Sequence, residues 1–140
     1  MTTSNQCTSC GSFTMVNDEN HTEVITHSGE SVTLTGLTGC FCTACGDGWF
    51  DYDSSARVSA AGDALVLKTR EQRRHEVRRI RKKLGLSQKE AAIIFGGGPN
   101  AFSLYERGRI EPHTSTIKLL NLLDRHPGLV DEIRDHKLAA

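Results

Sequence analysis

Four cysteines are arranged in two short pairs whose spacing is typical of a metal site. Cys7 and Cys10 form one CxxCG motif, and Cys42 and Cys45 form a second, with 31 residues between the pairs. Two cysteines three positions apart on a tight turn can direct both sulfurs to one ion, and four thiolates make a closed tetrahedral zinc site. The glycine after each pair permits the positive φ that such turns use. We therefore predict one structural Zn²⁺ per chain, bound by these four residues.

Two other chemistries use the same residue types. A rubredoxin-like iron site would have the same four ligands, but little else in the sequence indicates electron transfer. A thioredoxin-like CxxC requires a βαβ context, which the sequence lacks. We expect the fifth cysteine, Cys40, to be a small buried hydrophobic residue and not a fifth ligand.

This region also partly fits an enzyme signature. His21-Thr22-Glu23, followed by Cys42 and Cys45, partly matches the zinc-deaminase signature H-x-E…P-C-x-x-C. Phe41 stands in the place of the proline, and the first cysteine pair would be left without a role. Because four thiolates leave no open position for water, we predict a protein that is not an enzyme.

The cysteines must be positioned by a small β-rich module. Residues 22–26 and 31–35 alternate as strands do, and Ser28-Gly29-Glu30 between them favours a β-hairpin. Residues 53–67 are rich in Ala and Ser; Asp53 could cap a helix there, but we interpret the stretch as a linker with some helical character.

After the linker the sequence has helical periodicity. Ser87-Gln88-Lys89-Glu90 fits a capping box, and a glycine-rich turn separates this helix from the next, which is the helix-turn-helix pattern. We place domain 1–67 before domain 68–140, an α+β organisation. The five predicted helices cover about 69–84, 87–95, 99–108, 115–124 and the residues from 127 onward.

The second helix of the motif is expected to read DNA. If its apolar residues face the core, Asn100, Ser103, Leu104 and Arg107 face outward. Asn100 lies in the first turn, where recognition helices reach base edges, and asparagine can bond adenine bidentately. The predicted DNA-binding set also contains Gln88, Lys89 and Gly98, the last through amide N–H groups near a phosphate.

The formal net charge of zero hides a strong asymmetry. Residues 1–67 hold one basic and eight acidic residues, a net of −7, whereas residues 68–140 have a net of +7. All of this surplus lies in residues 68–83, which we interpret as a contact to the phosphate backbone through Arg78, Arg79 and Arg81. A solvated helix face and docking onto the acidic half are the alternatives.

No apolar run is long enough to span a membrane, and the N-terminus lacks the basic and apolar regions of a secretory signal. We predict a cytoplasmic protein without a membrane partner.

Beyond these patterns, the sequence resembles a known family, the MqsA-type antitoxins within the Xre-like helix-turn-helix regulators. The resemblance runs from Cys7 to Arg134 and rests on the paired CxxC motifs and on three helical blocks, S-Q-K-E-A, F-G-G-G-x-N-A-F-S-x-Y-E-x-G and P-H-x-S-T-I-K-L-L. It implies a zinc-binding β-rich module linked to an all-α, five-helix, Xre/lambda-repressor-like domain.

The resemblance also implies a function. The zinc module would neutralise an mRNA-cleaving ribonuclease toxin, and the helical domain would bind a palindromic operator as a homodimer and repress its own operon. Asn100 matches a base-contacting asparagine of the family. A second base-reading residue, an arginine in the family, falls on Leu104, so the operator should differ or be read more weakly. The alternative is a stand-alone zinc-containing repressor without a toxin.

Overall fold

The computed structural model describes residues 5–135 of the chain. Internal contacts divide the chain into two units, one up to Thr69 and one from Arg70 onward. Strands occur in the first unit and short helices in the second, so the predicted α+β fold class is confirmed. No helix in the described part is long and apolar enough to cross a membrane.

A three-stranded antiparallel sheet forms the first unit. Its strands are β1 (Met15–His27), β2 (Glu30–Cys42) and β3 (Gly48–Phe50), in the order β1-β2-β3. The predicted hairpin is confirmed, but each of its strands has 13 residues. Ser28 and Gly29 connect the strands with φ angles of 51° and 83°, and two positive φ values are what a type I′ turn requires.

The segment interpreted as a linker is helical. Helix α1 runs from Tyr52 to Lys83 and so begins well before the predicted residue 69. The cap is Asp51, not Asp53: its Oδ1 accepts a hydrogen bond of 2.7 Å from the Ser54 N–H. Hydrogen bonds from Ser54 hold the pKa of Asp51 below its ordinary value. The Ser54 hydroxyl in turn accepts a hydrogen bond of 2.8 Å from the Thr38 N–H of β2, which ties the start of α1 to the sheet.

The second unit contains the last part of α1 and four short helices: α2 (Gln88–Phe95), α3 (Ala101–Glu106), α4 (Thr114–Arg125) and α5 (Leu129–Asp135). The capping box at Ser87 is confirmed in both of its hydrogen bonds. The starts of the last three helices lie one or two residues from their predicted positions. Helices α3 and α5 begin two residues after Pro99 and Pro127, and α4 begins one residue before 115, with His113 as its N-cap.

The helices of the second unit surround one apolar core. Phe102 and Leu123 at its centre have no exposed surface, and Phe102 contacts the rings of both Phe95 and Tyr105. The turn between α2 and α3 is tightly packed: a Cβ at Gly97 would lie 2.8 Å from the Tyr105 hydroxyl oxygen. Only glycine fits there, which is how the G-G-G run fixes α3 against α2.

Candidate metal centre and helix-turn-helix surface

The four predicted ligands come together at one point. Their sulfurs all lie within 4.8 Å of one another, with Cys7 3.7 Å from Cys45 and Cys10 3.6 Å from Cys42. In a tetrahedral site with Zn–S bonds of about 2.3 Å, the sulfurs lie about 3.8 Å apart. None of the five cysteines forms a disulfide. The spacing of the sulfurs therefore fits a tetrahedral metal ion.

Both cysteine pairs have the same local backbone. The Gly11 N–H donates to the Cys7 carbonyl at 2.9 Å, and the Gly46 N–H donates to the Cys42 carbonyl at 2.8 Å. The two glycines have φ angles of 75° and 79°, which side chains rarely adopt. One turn precedes β1 and the other follows β2, so pairing of Met15 with Cys42 in the hairpin brings them together.

Hydroxyl groups surround one of the sulfurs. Ser12 and Thr14 each place a hydroxyl oxygen 3.3 Å from Cys42 Sγ. These hydrogen bonds lower the pKa of the Cys42 thiol to about 5. The Asp47 N–H lowers the pKa of Cys45, but burial and the three neighbouring thiols outweigh it and raise that pKa to about 12. Four crowded thiols cannot all ionise alone, and a cation in their midst removes the conflict.

Cys40 is not part of the cluster. It packs against the buried residues Cys7, Met15 and Cys42 but lies outside the group of four sulfurs. Its Cα is paired with that of Trp49 on β3. Cys40 is only partly buried, whereas a buried residue was expected, and its sulfur is not one of the four that cluster.

His21 does not take part in metal binding either. Its ring stacks on Phe41 with the centroids 4.0 Å apart. Its two nitrogens lie 3.3 Å from Asp18 and 3.2 Å from Glu23. Among the described residues, the group that could hold a metal ion contains cysteines alone, and His21 lies outside it.

The residues predicted to face DNA lie at the start of α2, in the turn after it and along α3. Asn100 is exposed immediately before α3, and its side chain caps no helix N–H. Ser103 and Leu104 are half-buried on α3, whereas Arg107 is exposed and donates to the Ser103 carbonyl at 3.1 Å. On α2 and the turn, Lys89 and Gly98 are exposed, and Gln88 donates to Glu106 at 3.0 Å.

The three arginines predicted to contact phosphate lie in different surroundings. Arg78 is exposed and forms no ion pair within residues 5–135. Arg79 forms ion pairs with Glu76 and Asp124, the latter at 2.7 Å. Arg81 is 11% exposed and forms a two-fold ion pair with Glu106, and it also donates to the Leu86 carbonyl at 2.8 Å. Arg79 and Arg81 therefore hold helices together.

Sequence reasoning missed a second group of arginines. Arg70 and Arg73 on α1 both contact Glu111, which lies in the loop after α3. Arg109 of the same loop lines the cavity beside them. The spacing of Arg70 and Arg73 along a helix indicates a shared face, but nothing in the sequence pairs that face with a loop some 40 residues later.

Together these features define a class: a sheet module holding four clustered cysteines, followed by a helix-turn-helix unit. Residues 5–134 match the family described as the antitoxin component of bacterial toxin-antitoxin systems, MqsA. The chain belongs to this family. It is 43% identical over 113 residues to Antitoxin MqsA of Escherichia coli strain K12. The aligned region covers 78% of this chain and 85% of that protein. The chain is thus an antitoxin, and its partner is a toxin.

Proposed function

We propose that this chain is a zinc-binding antitoxin of a type II system. Its first unit neutralises an mRNA-cleaving ribonuclease toxin, and its second unit binds a palindromic operator as a homodimer and represses the operon. The protein acts in the cytoplasm by binding the toxin and the operator, and it catalyses no reaction. Two features of this chain together support the proposal. Four cysteine sulfurs lie at the spacing of a tetrahedral site, and Asn100 is exposed at the start of α3.

The four cysteines would hold Zn²⁺ as a structural ion. Thiolates of Cys7, Cys10, Cys42 and Cys45 fill all four positions, so the ion stabilises the fold and leaves no site for a substrate. Its binding free energy becomes folding free energy of the sheet unit. The acidic charge of residues 1–67, a net of −7, favours a basic partner such as a ribonuclease.

The DNA contacts would divide into readers and anchors. Asn100 reads a base edge, with Ser103, Leu104 and Arg107 beside it on the same side of α3. The DNA phosphate backbone would be contacted by Lys89, Gly98 and Gln88, and the positive charge of Arg78 on α1 would attract it. Arg79 and Arg81 act through their ion pairs, which position α1 against α4 and α3. Because Leu104 cannot bond guanine bidentately, we expect an operator read mainly through Asn100.

One experiment tests the toxin partner. The chain is co-expressed with the product of the neighbouring gene, purified through a tag on that product, and assayed for its effect on RNA cleavage. The proposal predicts a stable complex in which cleavage is suppressed. A neighbour that binds but cleaves no RNA when freed, or a chain that purifies alone, would favour the stand-alone repressor.

A second experiment tests base reading. Asn100→Ala should weaken binding to the promoter duplex by about 1–3 kcal/mol and leave binding to unrelated DNA almost unchanged. The fold should be unaffected, because the Asn100 side chain forms no capping bond. Asn121→Ala, at an exposed position of α4, is the matched control. Equal losses on both duplexes would remove Asn100 as a reader.

A further inference from the structure

A small cavity of about 100 Å³ opens on the second unit between α1 and the loop at residues 108–112. Three arginines of α1, at positions 70, 73 and 74, line one side, and Arg109 and Glu111 line the other. Such a concentration of guanidinium groups around a concave surface is suited to an oxyanion.

The contacts of Glu111 show how the cavity holds an oxyanion. Its Oε1 lies 3.3 Å from Arg70 Nε, and its Oε2 lies 3.6 Å from Arg73 Nη1. One carboxylate thus bridges two guanidinium groups, with one oxygen on each. A phosphate group can make the same bridge with stronger, doubly charged or bidentate contacts. Since all three side chains are at least a quarter exposed, these ion pairs are weak and exchangeable.

One guanidinium group of the cavity has no carboxylate partner among residues 5–135. Arg74 is held by Glu71, with Nε 2.6 Å from Oε2, whereas the side chain of Arg109 forms no ion pair within the described residues. Arg79 and Arg81, by contrast, are fully engaged by Glu76, Asp124 and Glu106.

We propose that this cavity binds a phosphate group, with Glu111 acting as a displaceable internal substitute. The phosphate belongs either to the backbone of a DNA duplex or to a free phosphate. The loop directly follows α3, the helix that begins after Asn100, so the cavity belongs to the same helix-turn-helix unit as the proposed base reader. The possibility that the phosphate belongs to DNA rests on the proposed function. It assigns the anchoring role to arginines 70, 73 and 109, which the sequence pattern did not single out.

The test uses four variants of the full-length protein, two of them controls of equal charge. Arg109→Gln is compared with Arg125→Gln on α4, and Glu111→Gln with Glu132→Gln on α5. The first arm measures how the affinity for a duplex carrying the chain's own promoter falls with salt. Arg109→Gln should reduce the slope of log K against log salt by about 1, the loss of one phosphate contact. Glu111→Gln should tighten binding more than Glu132→Gln does.

The second arm titrates the same proteins with inorganic phosphate at constant ionic strength, followed by NMR of the arginine Nε–H groups. A slope change confined to Arg109→Gln supports a DNA phosphate, and phosphate-induced shifts lost in Arg109→Gln support a free phosphate. If Arg109→Gln matches Arg125→Gln in both arms, or if Glu111→Gln weakens binding, the inference is overturned. A wild-type chain that binds no duplex would contradict the proposed function instead, and the phosphate arm would still decide this site.

Discussion

The unit up to Thr69 and the unit from Arg70 differ in what lies at their centres. In the first, Met15, Cys7 and Cys42 form a small buried cluster, and Leu37 and Leu65 are buried apart from it. In the second, twelve buried residues form one core, with six further apolar side chains packed against it. The first unit also exposes large apolar groups, including Phe13, Trp49 and Tyr52.

The difference shows two sources of stability within one chain. A sheet with so small a core buries too little apolar surface to offset the ordering of its backbone. Of the four clustered cysteines, Cys7 and Cys42 are buried and Cys10 and Cys45 are exposed, and a metal ion bound by them would add folding free energy to this unit. The helical unit needs no ion, because burial of Phe102, Ile80 and Leu120 stabilises it. Treatments directed at one source should therefore leave the other unit folded.

Removing the metal ligand set should have the largest effect. Cys42→Ser, or chelation of the metal, should unfold the sheet unit, since structural zinc contributes on the order of 10 kcal/mol. Amide NMR should show loss of dispersion for residues 5–50 and retained signals for the helices from 88 to 135. Cys40→Ser, which removes a cysteine outside the sulfur cluster, should leave the metal bound. Collapse of both units together would refute the separation.

Breaking the buried ion pair of the helical unit should come next. Arg81→Met leaves Glu106, which is only 6% exposed, without its charged partner and with the Gln88 hydrogen bond alone. Burial raises the pKa of Glu106, but hydrogen bonds from Arg81 and Gln88 hold it below its ordinary value. Loss of Arg81 should cost about 3–5 kcal/mol in urea denaturation. Lys82→Met, at the exposed neighbouring position, is the control, and similar costs for both variants would contradict the assignment.

A smaller effect is expected at the start of α2. Ser87 Oγ accepts from the Glu90 N–H at 3.1 Å, and Glu90 accepts from the Ser87 N–H at 2.7 Å. Ser87→Ala should lower the free energy of unfolding of the helical unit by about 1 kcal/mol. Ser59→Ala, at an exposed position within α1, should not destabilise it. Thermal unfolding of the two variants provides the measurement.

The smallest effect should depend on pH. Hydrogen bonds from Arg79 and Lys83 lower the pKa of Asp124 to about 2, from an ordinary value of 3.8. A carboxylate with a depressed pKa stabilises the fold above its ordinary pKa, and this contribution is lost as the pH falls through about 2. Asp124→Asn should therefore be less stable than wild type at pH 7, with the gap closing between about pH 4 and pH 2. A gap that stays constant over this range would exclude the ionised contact as its cause.

Features set by neighbouring residues could be predicted from the sequence. The metal ligands follow from two CxxCG motifs, and the start of α2 follows from Ser87 and Glu90, because the partners in each motif are at most four positions apart. The hairpin was predicted from its turn, but its strands were underestimated, since the polar residues of β1 do not alternate with apolar ones. Asp51 was missed as a cap because Asp53 and the alanine-rich stretch after it offered an equally good start.

Features that depend on distant pairs could not be predicted. Arg81 meets Glu106 across 25 positions, and Arg70 meets Glu111 across 41 positions. Charge counts treated the arginines of residues 68–83 as equivalent, whereas the fold neutralises some and leaves others available. The packing of α1 against the loop after α3 decides which arginines are neutralised and which remain available.

Three helices meet at a single carboxylate, and this has a genetic consequence. Glu106 ends α3 and accepts hydrogen bonds from Arg81 of α1 and Gln88 of α2. The orientation of α3, the helix proposed to face DNA, is therefore specified partly by codons 81 and 88. A screen for loss of the proposed repression should recover changes at these codons together with changes at codon 100. Changes at 81 should be suppressible by second mutations at 106, whereas changes at 100 should be suppressible only in the operator.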